Sequence, residues 1–157
     1  ISTKKVRDYI EYNARSQVFA KSLPVAIIEG MRGRLKMMIE RPELKDKLWE
    51  NTYNLRAGLK ERGFDIGTPS TNVTPVFMKG SVEEALGLVY DMRENHRVFC
   101  SIITYPGVPK GMMLLRMIPT AAHSEEDIQL TLDAFSATVK KLEAGQYQGI
   151  PDISQVK

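Results

Sequence analysis

The hydrophobic period changes along this 157-residue chain, and that change limits it to a mixed fold. Up to Gly63 the apolar residues recur at helical spacing, whereas beyond it short apolar runs alternate with helical stripes. Residues 4–14 suit a short helix, and 15–22 show no clear helical period. Ser22 is expected as an N-cap with Pro24 in the first turn, where a missing N–H costs nothing. Ile28, Met31, Leu35 and Met38 then form one stripe of an amphipathic helix. Glu40-Arg41-Pro42 interrupts it, because the residue before a proline avoids helical geometry. Pro42 opens another helix, with Leu44, Leu48, Leu55 and Leu59 on one face and Gly63 as its stop.

Residues 74–79 read as a strand. Ser81 and Glu84 make a capping box ahead of a helix carrying Val82, Ala85, Leu86, Val89 and Met92. Residues 98–103 and 112–118 read as strands, joined by Tyr105-Pro106-Gly107-Val108-Pro109-Lys110-Gly111, a loop stiffened by two prolines. A second capping box, Ser124 with Asp127, opens the clearest helix, striped by Ile128, Leu132, Phe135, Val139 and Leu142. Residues 146–157 carry little apolar material and are expected to trail along the surface or fray. The predicted fold class is α+β: a small, mostly antiparallel three-stranded sheet covered by helices, preceded by an N-terminal helical segment.

Composition narrows the function. At 43% hydrophobic and 26% charged residues, wholesale disorder is excluded. No apolar run approaches the roughly 20 residues of a membrane span. The single cysteine, Cys100, excludes an internal disulfide framework, implies a reducing, cytoplasmic setting, and with only His96 and His123 beside it leaves no metal site. The net charge of +3 is uneven: residues 1–41 carry +5 and the remainder −2. The basic residues are scattered without aromatic interleaving, so nucleic acid is not an expected partner. No Walker loop, GxSxG, HExxH or dinucleotide fingerprint occurs. The chain begins at isoleucine, which is expected of a fragment.

Arg116 is the sharpest single signal, because every other residue of Met112-Met113-Leu114-Leu115-Arg116-Met117-Ile118 is apolar. A guanidinium keeps its charge in any protein environment and is costly to bury without an anion. It either pairs with an internal carboxylate, receives a ligand carboxylate or phosphate bidentately, or faces water at the strand's end. His123, between Ala122 and a helix cap, reads as a structural hydrogen bonder or a catalyst. Lys21 and Ser22 lie where a basic, irregular segment enters a helix and could meet an anion, or be a plain cap and a solvated lysine. Cys100 reads as a buried, inert thiol and Trp49 as a packing residue.

Taken in order, these segments resemble the α-oxoamine synthases, fold-type I enzymes that use pyridoxal 5′-phosphate (PLP). Asn13-Ala14-Arg15-Ser16-Gln17-Val18-Phe19-Ala20-Lys21-Ser22-Leu23-Pro24 is similar to the family's Phe-Ser-x-Ser-Leu-x-Pro stretch, and Leu48-Trp49-Glu50-Asn51-Thr52 to its interdomain helix. Thr104 to Gly111, followed by Leu115-Arg116-Met117-Ile118-Pro119-Thr120-Ala121-Ala122-His123-Ser124, resembles its closing signature. The family includes serine palmitoyltransferase, glycine C-acetyltransferase and 8-amino-7-oxononanoate synthase.

The resemblance implies a C-terminal fragment: residues 1–40 as the end of the large domain and interdomain helix, 41–145 as the small domain, and 146–157 as a tail. It implies condensation of an amino acid, glycine or serine, with an acyl-CoA and loss of carbon dioxide, in a homodimer. The family's Schiff-base lysine, pyridinium-pairing aspartate and ring-stacking histidine would lie upstream of Ile1, so no catalytic residue is expected here and the fragment alone is expected to be inactive. Arg116 matches the arginine that grips the substrate carboxylate. The segment from Phe19 to Ser22 matches the stretch that reaches the cofactor phosphate of the neighbouring subunit, with contact expected through Lys21, Ser22 or backbone N–H groups, although Ala20 and Lys21 stand where hydroxyl residues often occur. Tyr105, Pro106, Gly107, Val108 and Pro109 match a loop over the substrate. Two other readings remain, a free-standing α+β anion-binding or dimerisation module and the small domain of a general PLP aminotransferase. The proline-rich loop joined to Leu-Arg…Ala-Ala-His speaks against the last.

Overall fold

A computed structural model of the chain describes residues 2–148, so most of the stretch expected as a tail, 149–157, lies outside the described residues. The chain divides between Arg41 and Pro42 into two compact units.

The first unit is helical. Helix α1 (Lys4–Asn13) is capped by Thr3, whose hydroxyl accepts from the Val6 N–H. A four-residue helix α2 (Arg15–Val18) follows, in a stretch whose side chains show no helical period. Helix α3 (Val25–Glu40) starts later than the sequence suggests. Its N-cap is Pro24, whose carbonyl accepts from Ile27 and Ile28, and Ser22 makes no capping bond. The proline holds its predecessor out of helical geometry, which leaves Ser22 two residues outside the helix. No helix residue of this unit is buried. The stripe Ile28, Met31, Leu35 and Met38 is present on α3 but exposed, because the two short helices before it, of 10 and 4 residues, leave it uncovered.

The second unit holds the core. It runs α4 (Glu43–Glu61), β1 (Thr74–Lys79), α5 (Val82–His96), β2 (Ser101–Ile103), β3 (Met112–Met117) and α6 (Glu125–Glu143). The sheet order is β1-β3-β2 and both pairings are antiparallel. Alternation along β3 sends Met113, Leu115 and Met117 into a core with Val76 of β1, Leu55 and Leu59 of α4, Leu88 and Met92 of α5, and Leu132 and Phe135 of α6. The helices therefore cover one face, as the α+β reading expects.

Several details correct the sequence reading. Strand 98–103 is regular only over its last three residues, although Val98 and Cys100 are buried. On α5 the buried stripe is Ala85, Leu88 and Met92, whereas Val82 and Leu86 are exposed. Both capping boxes form as expected. Residues 48–52 are helical, within α4, and Asn51 and Thr52 are buried there. Gln146, Tyr147 and Gln148 do not trail: Tyr147 packs against the core edge beside Gly87.

Two features hold the frame. Arg56 of α4 donates to Thr74 Oγ1 (3.0 Å) and to the carbonyls of Pro69, Thr71 and Val73, fixing the approach to β1. Gly58 lets α4 and α6 approach closely: a Cβ there would fall 2.3 Å from Leu132 Cδ1. Gly58→Ala is expected to cost about 1–2 kcal/mol despite alanine's better helix propensity, since Leu132 is buried and has little room to yield. Urea unfolding of the chain measures this; a stabilised variant would show that the leucine swings clear.

Candidate functional site

The same alternation that buries Met113 and Leu115 places Met112, Leu114 and Arg116 on the opposite face of β3. Their cross-strand neighbours are Lys79, Phe77 and Pro75 on β1 and, beside Leu114 and Arg116, Ile103 and Ser101 on β2. None of these residues is buried. Within this unit they form an apolar, half-exposed floor with a guanidinium at one end.

Arg116 is exposed, so burial does not demand a counter-ion for it inside the fold. Its Nε donates to Ser101 Oγ at 3.1 Å, and among the described residues no aspartate or glutamate pairs with it. The two Nη groups, which together make the fork suited to a carboxylate, are left without a partner among those residues.

The loop after β2 leaves from the other end of the floor. Its Tyr105–Pro106 peptide bond is cis, Val108 is buried, and a side chain at Gly107 would collide with Ile103 Cγ2 at 2.6 Å. Lys110 Nζ lies 5.2 Å from the centre of the Tyr105 ring, while Tyr105, Pro106, Gly107 and Pro109 are exposed. The loop is thus pegged by one valine and folded back on β2, presenting its remaining residues outward.

The segment after β3 is locked from beneath. Buried Asn51 donates through Nδ2 to the carbonyls of Thr120 and His123, both at 2.9 Å. Thr120 N–H donates to His123 Nδ1 (3.0 Å) and Ala122 N–H to Thr120 Oγ1. His123 therefore closes a turn, and Asn51, unnoticed in the sequence, sets that turn's position. No local pattern marks it in the sequence, because its two partners lie 69 and 72 positions away.

Cys100 is buried against Met92, and burial pushes its thiol up to about 11, which leaves it protonated and inert. Trp49 stacks on Tyr53 with ring centres 5.5 Å apart. Among the described residues no cluster of His, Cys, Asp and Glu could hold a metal ion, and no helix is long and apolar enough to cross a membrane. Ala20, Lys21 and Ser22 belong to the first unit, exposed and without regular structure between α2 and α3, whereas Arg116 and the loop belong to the second.

A small three-stranded antiparallel sheet backed by helices is the fold of the C-terminal domain of fold-type I PLP enzymes. The model of the family described as aminotransferase class I and II matches residues 1–135, and the chain belongs to that family. It is 58% identical over 146 residues to a cysteate-C-fatty acyltransferase of Capnocytophaga ochracea, covering 93% of this chain and 35% of that protein. It is 41% identical over 139 residues to an 8-amino-7-oxononanoate synthase of Exiguobacterium sibiricum, covering 88% and 35%. Among solved structures, serine palmitoyltransferase of Sphingomonas wittichii superimposes with a TM-score of 0.80 at 23% identity, over 92% of this chain and 36% of that one. A serine palmitoyltransferase described with PLP gives 0.79 at 24% identity, over 92% and 36%. The chain thus spans about a third of the length of the curated relatives it matches. The resemblance to a C-terminal part of an α-oxoamine synthase is borne out.

Proposed function

We propose that the chain is the carboxylate-binding portion of a PLP-dependent C-acyltransferase, in which the whole protein condenses an amino acid with a fatty acyl-CoA and releases carbon dioxide. The name of the 58%-identical relative favours cysteate as the amino acid over the glycine or serine expected from the wider family. The observation that carries the reading is Arg116, a permanent cation on an open apolar floor with an unpaired fork. Bound PLP would serve as the electron sink for the carbanion left at the amino acid's α-carbon. Within this chain the donors that suit its phosphate are the Lys21 ammonium, the Ser22 hydroxyl and the backbone N–H groups of Lys21 and Ser22, that of Ala20 being already bonded to the Gln17 carbonyl. These would serve the neighbouring subunit of a homodimer.

Arg116 would bind the amino acid's carboxylate and orient the α-carbon substituents for reaction. Tyr105, Pro106, Gly107 and Pro109, standing outward from the Val108 peg, would close over the substrate and exclude water. The lysine that carries the cofactor would be supplied by sequence upstream of Ile1. The 157-residue chain alone is therefore expected to take up no stoichiometric PLP, checked by absorbance after dialysis; one equivalent retained in a covalent, borohydride-reducible form would contradict this. A cytoplasmic setting agrees with the lone, buried, protonated cysteine.

The direct test is an assay of the full-length protein for CoA release from a fatty acyl-CoA with cysteate, serine and glycine in turn. Fastest turnover with cysteate supports the reading in full. Transfer of the amino group to a 2-oxo acid, with no CoA released, would instead support a general aminotransferase.

A further inference from the structure

We propose that Ser101 is a positioning residue for the amino-acid carboxylate, acting through Arg116; the inference rests on the carboxylate reading given above. Ser101 and Arg116 face each other across β2 and β3, in direct register. Ser101 Oγ accepts from Arg116 Nε at 3.1 Å, and no other hydrogen bond to that hydroxyl is present among the described residues. A guanidinium can offer a carboxylate either its side fork, Nε with one Nη, or its end fork, the two Nη groups. With Nε engaged by serine, only the end fork is free.

The consequence is geometric. An exposed arginine samples many rotamers, and fixing one of them costs entropy when the ligand arrives. A bond from the neighbouring strand to Nε holds the planar group against the sheet before binding and aims both Nη groups at one anion. Ser101 thereby converts a mobile surface charge into a pre-set two-donor clamp. The β2 register sets this pair, since a slip of one residue would put Ile102 or Cys100 opposite the arginine.

The test uses the full-length enzyme with Ser101→Ala, Ser101→Thr and Arg116→Ala. The ligands are the amino acid turned over best and its decarboxylated amine, which for cysteate is 2-aminoethanesulfonate. Dissociation constants come from cofactor spectral titrations, with KM for the acyl-CoA and the melting temperature measured alongside. Ser101→Ala should weaken the amino acid about tenfold, as expected for one hydrogen bond to a charged group, and leave the amine unchanged. The acyl-CoA KM and the melting temperature should not move, and Ser101→Thr should restore affinity to within about twofold. If the amine weakens as much as the amino acid, Ser101 is merely structural and the proposal falls. If Arg116→Ala weakens the amino acid while Ser101→Ala does not, the arginine needs no positioning and the proposal again falls. If Arg116→Ala itself changes nothing, the carboxylate reading is what has failed.

Discussion

Arg116→Ala in the full-length enzyme is expected to raise the KM for the amino acid about a hundredfold or more while the KM for the acyl-CoA stays within about twofold. The two Nη donors would each make a charge-assisted bond worth about 1.5–3 kcal/mol, and 1.4 kcal/mol is a factor of ten. The site is open in this unit, so the lower part of that range applies. Arg116→Lys separates charge from shape: it keeps the cation but loses both the fork and the Nε bond to Ser101, and an intermediate loss of about tenfold is expected. Stability should scarcely change, within about 0.5 kcal/mol, because the side chain is exposed and its one bond is to a hydroxyl. Steady-state kinetics with each substrate varied in turn, together with a urea titration, make the comparison. An unchanged amino-acid KM in Arg116→Ala would remove this residue from substrate binding altogether.

How Arg116 came to be noticed shows what the sequence carries. A lone charge in a seven-residue apolar run is conspicuous in any alternating strand, and the alternation itself dictates which face it takes. Of the three readings left open for it, the internal carboxylate is the one the described residues do not supply, since a strand's outward face need not be covered within its own unit. Ser101 was not legible: a serine at a strand's start has no pattern until the register places it opposite a particular partner. The helices read well where capping boxes and four-three spacing coincide, as at Ser124 and the stripe through Phe135. They read poorly where apolar residues cover more than one face, as on α5, where Leu86 and Leu88 are equally greasy and only packing against β2 and α6 decides between them. The stripe on α3 was read correctly as a stripe, but periodicity states only that a face is apolar. Asn51 and Tyr147 escaped for a shared reason, since both act through bonds to residues about 70 and 56 positions away, beyond any local pattern.

Tyr147 belongs to the second large effect, centred on Asp91. This aspartate of α5 is buried at 5% exposure, accepting from Lys141 Nζ at 2.7 Å, Tyr147 Oη at 2.6 Å and Asn95 Nδ2 at 2.6 Å. Burial alone would raise its carboxyl, but the bonds from Lys141, Tyr147 and Asn95, with the lysine's charge, outweigh it and hold the group at about 2 instead of 3.8. The same arrangement pushes the Tyr147 hydroxyl above its ordinary value, through burial first and the adjacent carboxylate second. Since the folded carboxyl binds its proton more weakly than the unfolded one, its contribution of about 2 kcal/mol is complete above pH 4 and is lost as pH falls towards 2. Asp91→Asn is expected to cost about 2–4 kcal/mol at neutral pH, because it leaves the lysine half-covered without its anion and weakens the tyrosine bond. Exposed pairs such as Arg93–Glu94 should contribute almost nothing by comparison. Urea unfolding at pH 7 and at pH 3 distinguishes the cases: wild type should lose more stability than Asp91→Asn on acidification, so that the two curves converge. Parallel curves would mean that the carboxylate is not held in its charged form by these partners. A Lys141→Met, Asp91→Asn double-mutant cycle then apportions the energy, and a coupling near zero would assign it to Tyr147 and Asn95 instead.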